Sequence, residues 1–181
     1  MSPAIRTALL VAAVAGLPIA VAVAADRDPF LVPVSAKTTG FGPFREDNPP
    51  MNAAALRTAF GRPTSSVKNN AQMCTFSWKA IGVVAHLTTY GQRIEPCTHG
   101  YFANARLSDQ RWHTSSGIHV GSTERAAKRV STRSCGTACE FPGYVLGLHP
   151  SDCAGRWVPS VIAELQAGRV SALRVLTHTC E

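Results

Sequence analysis

The sequence predicts an α+β protein made of two tandem repeats, each a short helix packed on an antiparallel β-sheet, with disulfides as staples. Three observations lead there. Similar segments recur 77 to 78 residues apart, each half offers a capped amphipathic helix followed by alternating strands, and all six cysteines lie beyond an apolar leader.

The leader comes first. Met1 to Arg6 carries a single positive charge, an uncharged apolar run follows from Ala8 to Ala25, and only Gly16 and Pro18 interrupt it. Ala22-Val23-Ala24 or Val23-Ala24-Ala25 supplies the small residues a signal peptidase needs, and Asp26-Arg27-Asp28 restores polarity. These are the parts of a secretory signal, residues 1–25, rather than an anchor of about 20 residues. No cysteine adjoins the cleavage point and no later apolar run approaches spanning length. The expected product is secreted, carries no lipid and has no membrane span after cleavage.

Without Arg6 the formal charge falls from +7 to +6, carried mostly by arginines, which pair carboxylates and phosphates bidentately. The basic residues are scattered, with no run of five, whereas a nucleic-acid interface concentrates them on one face among aromatics. The charge therefore points away from nucleic acid.

Residues 26–37 hold Pro29 and Pro33 and little pattern, and read as a flexible extension. The first repeat, 38–109, opens with Thr38-Thr39-Gly40-Phe41 and then a helix. Asn48 is placed to cap it, Pro49 suits its first position, Met51, Ala55, Leu56, Ala59 and Phe60 form its apolar stripe, and Gly61 with Pro63 ends it. Cys74, Phe76 and Trp78, then Val83, Ala85 and Leu87, alternate with other residues as strands do, and Tyr101–Leu107 adds another strand.

The second repeat, 110–181, opens with Ser115-Ser116-Gly117-Ile118, and Ser122 can cap a helix running to about Ser134. Its Ala126, Ala127 and Val130 face inward, while Arg125, Arg129 and Arg133 recur every four residues on another face. Strands follow at 141–148, 158–166 and 169–179, the last two joined as a hairpin around Ala167-Gly168. Val161 to Leu165 echoes Val83 to Leu87 at a distance of 78 residues, the signature of an internal duplication. A lone helix cannot hide its own stripe, so each should lie across one face of the sheet, leaving the opposite face for solvent or a partner.

The cysteines are Cys74, Cys97, Cys135, Cys139, Cys153 and Cys180. An even number in an exported chain implies three disulfides, for which sequence alone permits about 15 connectivities. The expected pairs are Cys74–Cys97 in the first repeat, and Cys153–Cys180 with Cys135–Cys139 in the second. No CxxC pair supports a zinc site.

The order Gly40-Phe41-Gly42-Pro43, helix, Cys74, Trp78, Gly82, Cys97, and then Trp112-His113-Thr114-Ser115-Ser116-Gly117-Ile118-His119-Val120-Gly121 resembles a family of uncharacterised secreted bacterial proteins. That family in turn is similar to the tandem-repeat fold of the β-lactamase inhibitory protein and of the small lipoprotein of the outer-membrane assembly machine. The similarity covers most of residues 38–181. It implies a joint sheet surface that grips another protein, and members that bind without catalysing. The chain departs from the pattern where the second helix runs into Arg133-Ser134-Cys135, and no loop matches one that an inhibitor inserts into an enzyme cleft.

Function therefore reads as a non-catalytic module that binds a protein, such as a secreted or envelope enzyme, and needs no cofactor. No HExxH pair, no Gly-x-Ser-x-Gly turn and no paired carboxylates occur. The alternative is a secreted metal-binding or hydrolytic enzyme built on some of its six histidines. Rigid aromatics anchor interfaces, which selects Tyr90, Tyr101, Trp112 and Tyr144, with Trp157 a weaker choice. Arg125 and Arg129 are the residues suited to an acidic partner. Oligomeric state cannot be read from the sequence.

Overall fold

The computed structural model describes residues 28–35, 40–45, 51–135, 141–150 and 157–177. The leader, its cleavage point, Asn48, Pro49, Cys139, Cys153 and Cys180 lie outside the described residues. The chain folds as mixed helix and strand around one large antiparallel sheet, with Cys74 bonded to Cys97 as expected.

In order, the chain forms β1 (Leu31–Val32), β2 (Gly40–Phe41), β3 (Phe44–Arg45), α1 (Ala53–Phe60), β4 (Ser65–Lys68), β5 (Met73–Trp78), β6 (Val83–Thr88), α2 (Pro96–His99) and β7 (Tyr101–Leu107). It continues with β8 (His113–Thr114), α3 (Glu124–Val130), β9 (Arg133–Ser134), β10 (Gly143–Pro150), β11 (Trp157–Gln166) and β12 (Arg169–Leu176). The eight-stranded sheet runs β4-β5-β6-β7-β12-β11-β10-β9. It is two four-stranded meanders joined where β7 pairs antiparallel with β12, Leu107 opposite Leu173 and Arg106 opposite Arg174. The hairpin between β11 and β12 turns at Ala167 (φ 49°) and Gly168 (φ 72°), two positive φ values that suit a tight turn between twisted strands.

Both helices start later than the sequence suggests, and the hydrogen bonds say why. Met51 and Asn52 are still tied to β7, through Phe102 N to Met51 O at 2.9 Å and a bridge from Asn52 to Tyr101. Asn52 is thus the cap of α1, its side chain accepting from Ala55 N at 3.0 Å. Ser122 is spent on His119 N at 3.0 Å, and Thr123 caps α3 instead. α3 also ends early, at Val130, because Arg133 and Ser134 are drawn into the sheet opposite Val145 and Tyr144. Arg133 therefore leaves the helical stripe of Arg125 and Arg129.

The expected flexible extension is a docked strap over 28–35. β1 pairs parallel with β8, Val32 is wholly buried, and Gly42 N donates to Leu31 O at 2.8 Å. A Cβ on Gly42 would sit 2.3 Å from Pro29 O, so only glycine lets the strap lie this close. Phe30 under the Arg111 guanidinium, and Asp28 at 3.1 Å from His113, complete the seal.

One side of the sheet meets the helices and strap. Phe76, Trp78, Val83, Ala85, Leu87, Phe102, Leu107, Leu173 and Val175 point to it and pack with Phe41, Phe44, Leu56 and Trp112. The α1 stripe of Met51, Ala55, Leu56, Ala59 and Phe60 packs against this core as its spacing predicts. The other face is not uniformly open. Over β9 to β11 it carries a second apolar cluster of Cys135, Val145 and Ile162, with Phe141, Leu148 and Leu176 beside it. Cys135 is itself disulfide-bonded; its predicted partner Cys139 lies outside the described residues.

Candidate functional site

The face turned away from the helices is mostly polar over β5, β6 and β7, with Met73 and Val84 the apolar exceptions. Residues directly opposite in an antiparallel pair share a face. Thr75 opposes His86, His86 opposes Asn104, Val84 opposes Arg106 and Arg106 opposes Arg174, so one surface gathers these side chains from four strands. Arg106, for example, stands between Ala105 and Leu107, both of which point into the core.

At the junction of the two meanders lies a charged triad. Glu164, on β11, receives Arg106 Nε on one oxygen at 2.7 Å and Arg174 Nε on the other at 2.7 Å. A second Arg174 nitrogen, Nη2, lies 2.6 Å from that oxygen. The carboxylate is nearly buried (8% of its side chain exposed), whereas the Arg106 side chain stays 38% and the Arg174 side chain 25% exposed. The Arg174 guanidinium also stacks 4.7 Å over the Phe141 ring. Beside it, His86 bonds Thr75 Oγ1 through Nδ1 at 3.0 Å. Burial, and then the Arg174 charge, hold the imidazole below its ordinary pKa, favouring the neutral ring.

Asn104 adds an unusual feature, because its Oδ1 is buried without a hydrogen-bond partner among the described residues. Such an orphan costs about 1–3 kcal/mol. Asn104→Val, which fits the strand and removes the orphan, is therefore expected to stabilise the fold by about 1 kcal/mol and raise Tm by a few degrees. A lower Tm for this variant would show that the amide is satisfied after all.

The residues expected to contact a partner are not gathered in one place. Tyr90 and Tyr101 do come together, with ring centroids 6.1 Å apart at the end of β6 and β7. Tyr90 is exposed, and its φ of 48° is a left-handed conformation uncommon outside glycine, one found more often at functional sites. Trp112 corrects the expectation of an exposed anchor: it is 0% exposed, and its indole donates to Ile81 O at 2.6 Å. Tyr144 lies on the core-facing side and bonds Glu124 on α3 at 3.1 Å. Arg125 and Arg129 are exposed on α3, in the helix layer across the sheet from Arg106. Side chains of Trp157 and His149 lie outside the described residues, as does His178.

Sequence reasoning missed Arg106, Glu164, Arg174 and Asn104. One signal was present: Glu164 interrupts the apolar run Val161-Ile162-Ala163-Leu165 in mid-strand. A groove of about 520 Å³ lies between β3 and α1, lined by Phe44, Arg45, Asn52 and Thr58 among others. Among the described residues no three of His, Cys, Asp or Glu gather as metal ligands, and no helix is long and apolar enough to cross a membrane. No known family, curated protein or solved structure matches the chain.

Proposed function

We propose that the chain is a secreted, non-catalytic module that binds another protein through the sheet face turned away from its helices, with an extracellular or envelope enzyme as the fitting class of partner. The observation that carries the reading is this face itself. His86, Asn104 and Arg106 occupy it with partial exposure, and the exposed Tyr90 stands against Tyr101 at its end. Charged forks and rigid aromatics on one flat surface are what protein interfaces use for specificity and anchoring.

The reading includes a duplication. The order helix, then four-stranded meander, occurs as α1 with β4 to β7 and as α3 with β9 to β12. The echoing segments Val83 to Leu87 and Val161 to Leu165 fall in the third strand of each meander. The distance between equivalent strands shortens after that point because twelve residues connect β6 to β7 but only two connect β11 to β12. This arrangement supports the resemblance to the β-lactamase inhibitory protein fold. The disulfides and the apolar leader suit export.

The test uses the oxidised chain from Asp26 onward against panels of secreted hydrolases, β-lactamases and peptidases. A binder inhibits one of them stoichiometrically, and Tyr90→Ala weakens that inhibition about tenfold or more without lowering Tm, as expected for an aromatic anchor. Turnover by the chain itself that vanishes on changing His86 or His119 would move the assignment to an enzyme.

A further inference from the structure

We propose that Arg106 and Arg174 form a receptor for a carboxylate, supplied by an Asp or Glu side chain of the protein partner. The inference rests on the binding reading above and names the chemistry of the contact.

Among the described residues the charges at this point do not balance. Two guanidiniums share the single carboxylate of Glu164, and His86 beside them is held toward its neutral form. The groups facing one another from β6, β7, β11 and β12 are His86, Asn104, Arg106, Glu164 and Arg174, with Thr75 from β5. Among the described residues their sum is two positive charges and one negative, leaving one surplus positive charge on a partly desolvated surface.

The surplus is also placed for use. Arg106 spends only its Nε on Glu164, and its two terminal nitrogens hydrogen-bond no described residue. A guanidinium offers five donors in a planar fork, so Arg106 keeps the edge that can engage a carboxylate in a bidentate manner. Glu164 fixes the fork from beneath, so little side-chain freedom is lost when a ligand arrives. Phe141 under Arg174, with Leu176 opposite Asn104, gives the clamp apolar walls, and charge pairs are stronger where water is partly excluded.

The same features select the ligand. One surplus charge neutralises one carboxylate, whereas a phosphate dianion would leave the site net negative. The clamp sits on a sheet face with the Arg106 and Arg174 side chains 38% and 25% exposed, so a free acid would have few other contacts. An acidic residue carried by a protein gains the rest of the face, Tyr90 and Tyr101 included.

The experiment titrates the oxidised chain with a capped tetraglutamate peptide, with capped tetraglutamine and inorganic phosphate as comparison arms. Arginine Nε–H and histidine ring resonances are followed by NMR. The expected result is a saturable shift of the Arg106 and Arg174 Nε–H signals with tetraglutamate alone. The His86 titration midpoint should rise with it, because a bound carboxylate favours the imidazolium. Arg106→Gln should weaken the response about tenfold or more, the scale of a lost charge-assisted bond. Arg106→Lys, which keeps the charge and loses the fork, should also weaken it, and serves if the glutamine variant folds poorly. An equal response to tetraglutamine, tighter binding of phosphate, or undiminished affinity in both variants overturns the proposal. An enzyme inhibited equally well by the Arg106→Gln chain would remove the clamp and leave the binding reading standing. A peptide response without any inhibited or retained protein would do the reverse.

Discussion

Replacing Trp112 with alanine is expected to destabilise the protein by about 3–5 kcal/mol, the range for a large aromatic removed from a close-packed core. The indole is 0% exposed and meets Phe30 at 5.1 Å, Phe41 at 5.7 Å and Phe60 at 6.4 Å between ring centroids, each edge to face. It thereby joins the strap to the β2–β3 hairpin and the end of α1, which also stack on each other through Phe41 and Phe60 at 5.3 Å. Its Nε1 also satisfies Ile81 O in the short 3₁₀ turn between β5 and β6. Trp112→Phe retains most ring contacts but orphans that carbonyl, so a smaller loss of about 1–3 kcal/mol is expected. Urea unfolding of the two variants measures both numbers. A Trp112→Ala loss under about 1 kcal/mol would mean that the strap and hairpin dock by some other means. Neither change touches the polar face, so the folded Trp112→Phe chain should bind any partner as the unaltered one does.

Trp112 also shows where reading the sequence stopped. Its neighbours Asp109, Gln110, Arg111 and His113 are polar, and nothing local says that the ring turns inward beneath a strap some 80 residues upstream. The strap fails for the same reason, since Leu31 and Val32 gain a partner only when His113 and Thr114 arrive. Strands fared better. β7 is read residue for residue, and the β11–β12 hairpin turns at the two residues chosen for it, because alternation and turn chemistry are properties of short windows. The helix starts were missed by one to four residues because long-range hydrogen bonds claim Met51 and Asn52, and a nearby backbone N–H claims Ser122. The charged triad was out of reach altogether: Arg106 and Glu164 are 58 residues apart, and only the β7–β12–β11 register brings them within 2.7 Å.

Removing the Cys74–Cys97 bond by the double change to alanine is expected to cost about 3 kcal/mol, from the closure entropy of a loop with a sequence separation of 23. The effect should concentrate in one place. α2 has four residues, too few to persist as an isolated helix, so it depends on what ties it down. The ties are the disulfide to β5, the Arg57 Nη2 bond to Cys97 O at 2.6 Å, and the exposed pair of Lys68 with Glu95 at 2.8 Å. An exposed ion pair is screened by solvent and holds little, so the covalent link dominates. Without it, the segment from Thr89 to Gly100 should open locally before the sheet does, releasing Tyr90 from its place beside Tyr101. Hydrogen exchange should then quicken over residues 89–100 while β11 and β12, joined by a two-residue turn, keep their protection. The variant isolates this bond, whereas a chemical reductant would also break the one at Cys135. Protection unchanged in that segment, with a stability loss under about 1 kcal/mol, would show that Arg57 and the packing of Cys97 hold α2 unaided. If partner binding weakens in the variant while Arg106 and Arg174 still respond to tetraglutamate, the tyrosine end of the face and its charged centre act as separable parts of one surface.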